Sequence, residues 1–266
     1  MLYYPQLSSG AVSQLPVTQR TSIRTISNGL LGGDTITMSD ANDSSKRWQV
    51  QYVGLTDAEW ASIEQLFEAA EGQLTTFTFL DPTDNLLMWS EDWVNSVWTA
   101  DPLLEVVSGI QDPLGANNAV QLTNTGQATQ GIKQDIAGAS WFQYCFSVYL
   151  RSNVSAVIQM VVSAGGQNSF TAISTGPAWV RAIASGSLTI QQDGVAFGVQ
   201  LVEGASIQAF GPQVEAQTAA SQYKKTIDLG GVYPNTRFDS DSLTLSTDAP
   251  NQNSGTVSLY SSLISI

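Results

Sequence analysis

The chain has 266 residues, 42% hydrophobic but only 12% charged, and its 10 basic and 23 acidic side chains leave a net charge of -13. That length suits one large or two modest domains with a buried core, and the acidity argues against duplex-groove and anionic-membrane binding, which need a cationic face. With no histidine there is no Ser-His-Asp or Cys-His catalysis and no pH switch near neutrality, and the single cysteine, Cys145, excludes an intramolecular disulfide and any CxxC metal site.

The opening MLYYPQLSSG has neither a basic nor an apolar secretory region, so folding in the cytoplasm is expected, and no apolar run is long enough to span a bilayer. Gly29, Gly32 and Gly33 in SNGLLGGDT read as turn glycines, because no Gly-Lys-Ser/Thr follows to make a phosphate loop. Trp48, Val50 and Tyr52 alternate with Arg47, Gln49 and Gln51, the period of a half-buried strand. A helix is predicted from Asp57 to Ala70. Thr56 stands at its N-cap and Glu59 at N3 as a capping box, Leu55 and Trp60 form a hydrophobic staple, and Ile63, Leu66, Phe67 and Ala70 continue one apolar face up to Gly72. A strand from Leu74 to Leu80, with Phe77 and Phe79 on one side, then ends at the Asp81-Pro82 turn.

From Asn85 to Thr226 no capped helical period occurs, only short apolar or alternating runs broken by Gly, Asn, Asp and Pro. Strands are predicted at Leu103 to Val107, Ala119 to Thr123, Gly131 to Asp135, Tyr144 to Arg151, Ala156 to Val162, Trp179 to Ala184, Gly186 to Gln191 and Gly198 to Val202. Roughly eight strands suit a jelly roll. After Lys224-Lys225 and Gly230-Gly231, further strands are expected around Ser242 to Leu245 and Thr256 to Leu259.

Three stretches carry a resemblance. WQVQYVGLTDAEWASIEQLFEAAEGQLTTFTFLDP, Trp48 to Pro82, resembles the first domain of distal tail and tail-tip proteins of long-tailed bacteriophages. NLLMWSEDWVNSVWT (Asn85 to Thr99) and FGPQVEAQTAASQYKKT (Phe210 to Thr226) are similar to the opening and closing of carbohydrate-binding, concanavalin-like jelly-roll modules of the family 4/9 kind. GGVYPNTRFDSDSLTLSTDAPNQNSGTVSLY resembles the segment that follows such a module in the same phage proteins. The resemblance implies a mainly β chain. Residues 1–84 and 227–266 would form a discontinuous, tail-tube-like β-sandwich or barrel with one α-helix, and 85–226 an inserted jelly roll.

It further implies a non-enzymatic virion protein, made in the host cytoplasm and placed at the tail tip, where a homo-oligomeric ring, a hexamer by the resemblance, joins the tail tube protein to the tail hub or tip protein. The jelly roll would face outward toward host-surface polysaccharide, with no membrane insertion and no specific nucleic-acid recognition. An acidic ring lumen would keep the genome from sticking during ejection, which fits the net charge. The alternative is a peripheral baseplate or tail adhesin that binds polysaccharide without forming the ring, and a tail-associated hydrolase is a third reading.

Candidate residues follow from these readings. Asp57, Trp60, Glu64 and Phe67 mark the helix expected to serve ring assembly. Trp141, Tyr144 and Trp179 are candidates for glycan contact, because sugar rings stack on aromatic faces; Trp93 and Trp98, inside the opening motif, read as buried. The carboxylate pairs Glu91/Asp92, Asp81/Asp84 and Asp239/Asp241 do not by themselves place two acids at a glycosidase spacing and read better as motif or solvated turn residues. No organic cofactor is indicated. The resemblance admits a structural calcium whose ligands are not assignable, and Cys145 reads as a small buried hydrophobe.

Overall fold

The structure is a computed structural model that describes residues 1–263 apart from the side chains of Ala41, Asn42 and Asp43. Over the described residues the chain is mainly β with one helix, and it divides into two compact units, the first made of 1–7, 13–79 and 233–263 and the second of 8–12 and 80–232.

In the first unit β1 (Val17–Gly29), β2 (Thr35–Leu55), β16 (Gln252–Ser262), β14 (Val232–Phe238) and β3 (Phe77–Leu80) form one sheet in the order β1-β2-β16-β14-β3, with β15 (Leu245–Ala249) paired to β16. The period-2 reading holds where β2 is a central strand: Trp48, Val50 and Tyr52 are buried and Gln49 and Gln51 exposed. Against their inner face packs α1 (Asp57–Ala69), one residue shorter than expected. Its capping box is present, with the Glu59 N–H donating to Thr56 Oγ1 at 3.2 Å and the Thr56 N–H to Glu59 Oε2 at 3.0 Å. Trp60, Ile63 and Leu66 are its buried residues, and Phe67 meets Phe238 edge-on at 5.0 Å. The Trp60 ring lies over Gly255 so closely that a Cβ there would sit 2.6 Å from it.

The sequence reading missed β1, β14 and the first part of β2. β1 is exposed along nearly its whole length, so it has no alternating apolar face to read. Leu74 is exposed and lies in the turn after the helix, so the strand expected there begins only at Phe77. The strand expected at Ser242 likewise begins at Leu245.

The second unit is a jelly-roll sandwich of ten antiparallel strands. One sheet has the order β10-β9-β12-β7-β4, built from β10 (Gln167–Thr175), β9 (Ala156–Ala164), β12 (Asp193–Leu201), β7 (Gln130–Ala139) and β4 (Trp98–Ala100). The other has the order β11-β8-β13-β6-β5, built from β11 (Val180–Gly186), β8 (Tyr144–Arg151), β13 (Ser206–Glu215), β6 (Ala119–Asn124) and β5 (Leu104–Ile110). The sandwich interior holds Phe146, Leu150, Ile158, Met160 and Phe197, all buried. Gly186 closes β11 and Ser187 to Gln192 are a loop, so no strand follows there, whereas β4, β10 and β13 are additions to the sequence reading.

The two recognised motifs are the clasp of this unit. The buried Asn85 donates to the carbonyls of Pro212 and Lys224, and its Oδ1 accepts the N–H groups of Leu87 and Val214. The buried Glu215 accepts from Gln213 and the Ser221 N–H, and Thr226 donates its hydroxyl to the Leu87 carbonyl at 2.7 Å. Trp93 and Trp98 are buried and stacked 4.8 Å apart.

Candidate functional site

The outer face of the β10-β9-β12-β7-β4 sheet carries a shallow trough. Strand register sets one row straight across all five strands: Thr99 on β4, Lys133 on β7, Gly198 on β12, Val161 on β9 and Phe170 on β10. Flanking rows place Gln200 opposite both Gly131 and Gln159 on one side, and Ala196 opposite both Asp135 and Ser163 on the other, with Asn168 beside Ser163. Because side chains alternate across a pleated strand, the buried Ile132, Val199 and Met160 point into the sandwich while these residues point out.

The trough is low where its side chains are missing. A Cβ on Gly198 would collide with the Ile132 carbonyl oxygen, and one on Gly131 would stand 2.8 Å from that of Val199, so at both points neighbouring backbone comes too near for a side chain. A concavity of ≈ 120 Å³ results, lined by Thr99, Asp101, Lys133, Ser163, Asn168 and Gln200 among others. The Asp101 carboxylate is held in place by the Gly131 N–H at 2.7 Å. Phe170 is 52% exposed and is the large apolar side chain of the row's outer end. The arrangement offers amide, hydroxyl and charged hydrogen-bonding groups around a floor of backbone, plus one open aromatic face at the end of the row.

The sequence-derived aromatic candidates are not brought together. Trp141 is 37% exposed in the turn before β8, and Trp179 precedes β11, with the Arg151 guanidinium 4.6 Å from its ring centre. Val180 pairs with Leu150 and Gly186 with Tyr144, so the two tryptophans flank opposite ends of β8, on the order of 20 Å apart along the strand. Tyr144 is corrected from glycan contact to core residue: it is buried, donates to the Ala139 carbonyl at 2.9 Å and meets Phe197 edge-on. Asp57 and Glu64 are exposed, whereas Trp60 is buried and Phe67 half-buried against Phe238, so these two hold the helix to its own sheet.

The carboxylate pairs serve the scaffold. Glu91 binds Lys225 at 2.6 Å, Asp239 binds Arg47 at 3.1 Å, and Asp241 accepts the Gln73 N–H at 3.0 Å. Asp81 is buried, not solvated, and accepts from the N–H and hydroxyl of Thr83. Among the described residues no three Asp, Glu or Cys side chains converge to hold a metal ion, and no helix is long and apolar enough to cross a membrane. Cys145 is fully buried, and burial raises its thiol pKa, so it stays protonated.

No protein-family model matches the chain, and no curated protein matches its sequence. Similar solved structures include the CBM22-1 xylan-binding domain of Xyn10C from Paenibacillus barcinonensis, at 18% identity over 52% of this chain and 97% of that one, with a TM-score of 0.41. TmCBM61 in complex with beta-1,4-galactotriose is 15% identical over 49% of this chain and 97% of that one, with a TM-score of 0.36. The enzymatically active domain of bacteriophage CBA120 tailspike protein 4 is 12% identical over 52% of this chain and 22% of that one, with a TM-score of 0.41. At these scores nothing about this chain's ligand or activity follows from them.

Proposed function

We propose that the second unit binds glycan in the trough of the β10-β9-β12-β7-β4 sheet, without catalysis, and that the chain is a structural protein of a bacteriophage tail tip whose first unit assembles into the ring. The observation that carries the first part is the cross-strand row from Thr99 to Phe170. A sugar ring has apolar C–H faces and a rim of hydroxyls, so it fits a site with one open aromatic ring and many separate donors and acceptors. Phe170 supplies the ring, and Thr99, Lys133, Asn168 and Gln200 supply the polar contacts. A neutral glycan also suits a chain whose net charge of -13 repels polyanions.

The tail-tip part is supported by the resemblance of three stretches in chain order, with the jelly roll looped out between two segments of the first unit. Affinity electrophoresis of the whole chain through gels cast with neutral and acidic polysaccharides tests the binding. Retardation by a neutral glycan is expected, and free migration in every gel overturns it. Native mass spectrometry at high protein concentration tests the ring. A closed oligomer is expected, and a strict monomer that still binds glycan favours the peripheral adhesin.

A further inference from the structure

We infer that the first unit docks head-to-tail on a second copy of this chain, the arginine row on the open face of one sheet receiving the acidic stripe of helix α1 from the next. This rests on the reading that the first unit self-assembles, and it names the surfaces that do so.

The row is set by register. Arg20 on β1 stands directly opposite Arg47 on β2, Arg47 opposite Tyr260 on β16, and Tyr260 opposite Arg237 on β14. All four lie on the face away from the helix, since their chain neighbours Trp48, Leu259 and Phe238 are buried on the helix side. The guanidiniums of Arg47 and Arg237 lie 4.7 and 4.9 Å from the Tyr260 ring centre, which holds them in line. Asp239 answers Arg47, whereas no described carboxylate pairs with Arg20 or Arg237, and both are exposed. A hollow of ≈ 290 Å³ opens between Arg20 and Arg47, bordered by Thr18, Gln49, Asp239 and Ser258. Like charges opposite one another across a sheet are destabilising, yet the chain places three of its ten cations here.

Helix α1 has the complementary defect. Asp57, Glu64 and Glu68 fall within about 40° of one another around the helix and are exposed, and the helix contains no basic residue. Glu64 and Glu68 are a like-charged i,i+4 pair, and no described cation meets either. Asp57 to Glu68 extends about 16 Å along the helix, and three inter-strand spacings from Arg20 to Arg237 span roughly 14 Å. The two uncompensated rows therefore match in sign and length. They lie on opposite sides of the sheet, so one copy cannot pair them internally. Contact between unlike patches is heterologous, the type of interface that closes rings.

The test uses the full chain and two variants, Arg20→Glu/Arg237→Glu and Glu64→Lys/Glu68→Lys, in sedimentation velocity at about 50 and 500 mM salt, with circular dichroism to verify folding. The wild type is expected to associate at low salt and to weaken by about tenfold or more at high salt. Each variant alone is expected to stay monomeric, because both its faces then carry the same sign, and an equimolar mixture is expected to associate again. Wild-type assembly that both variants retain overturns these surfaces and leaves the ring reading standing. A wild type monomeric under all conditions overturns both. Variants that fail alone and also fail when mixed overturn the pairing.

Discussion

Ser90 and Tyr223, 133 positions apart in the chain, share a hydrogen bond of 2.9 Å between their hydroxyls, and Ser90 Oγ also accepts the Thr226 N–H at 2.9 Å. Tyr223 Oη reaches Glu91 as well, so residues of the opening and closing motifs of the jelly roll are bound to each other. Polar residues that look like candidates for chemistry are thereby committed to closing the sandwich.

Asn85→Ala is expected to lower stability by about 3 kcal/mol, because it orphans buried backbone groups of Leu87, Pro212, Val214 and Lys224 together. Lys225→Ala, which removes only an exposed partner of Glu91, should change it by about 0.5 kcal/mol or less. Urea denaturation of the two variants beside the wild type measures both.

Thr56→Ala removes the hydroxyl that caps α1 and should destabilise the first unit by about 1 kcal/mol. Glu59→Ala takes away the reciprocal bond of the same box, so the double variant should cost less than the sum of the singles. Thermal melts followed at the helical dichroism band provide the cycle.

Gly198→Ala should destabilise the second unit by about 3 kcal/mol, since the new Cβ meets the Ile132 carbonyl and the Lys133 Cα, atoms of an adjoining strand that cannot rotate away. Gly176→Ala, where a Cβ meets nothing within 4 Å, is the control and should leave the melting temperature nearly unchanged.

Tyr4 and Tyr52 share a buried hydrogen bond of 2.9 Å, and burial raises both phenols above the usual range, the Tyr4 bond partly offsetting the rise at Tyr52. Tyr223 is raised chiefly by burial too, with Ser90 opposing and Glu91 adding to it. Folded values above unfolded ones mean stability that is whole below pH ~10 and is lost as pH rises further, by up to about 1.4 kcal/mol per unit for each phenol. Unfolding free energies measured from pH 8 to 11.5 should be flat and then fall, and Tyr52→Phe should make the fall shallower.

What could be read from the sequence followed burial. The capped helix and the Trp48-Val50-Tyr52 strand each have one face patterned by a core, and β8 is a continuous apolar run because it is buried on both faces. β1 and β10 have no such pattern, because β1 is exposed along most of its length and β10 is an edge strand. One signal for β10 was available: Gly165-Gly166, both at positive φ, is a two-residue hairpin turn after β9, and reading it would have placed Asn168 and Phe170 on an outward face. The trough itself was not legible, since Thr99, Lys133, Gly198, Val161 and Phe170 are separated by up to 99 positions and meet only through register. Tryptophan is a poor guide here for the same physical reason that makes it conspicuous: a ring that large is more often used to fill a core, as Trp93 and Trp98 do.

Isothermal titration calorimetry with a glycan retained in the gels, applied to Phe170→Ala, Lys133→Ala, Trp141→Ala and Trp179→Ala, tests the trough most directly. Phe170→Ala and Lys133→Ala are expected to weaken binding by about tenfold each, the loss of an aromatic face or a charged donor from a small site, while both tryptophan variants bind as the wild type does. Binding that survives Phe170→Ala and Lys133→Ala but is lost with Trp141→Ala or Trp179→Ala would contradict the assignment and move the site to an end of β8.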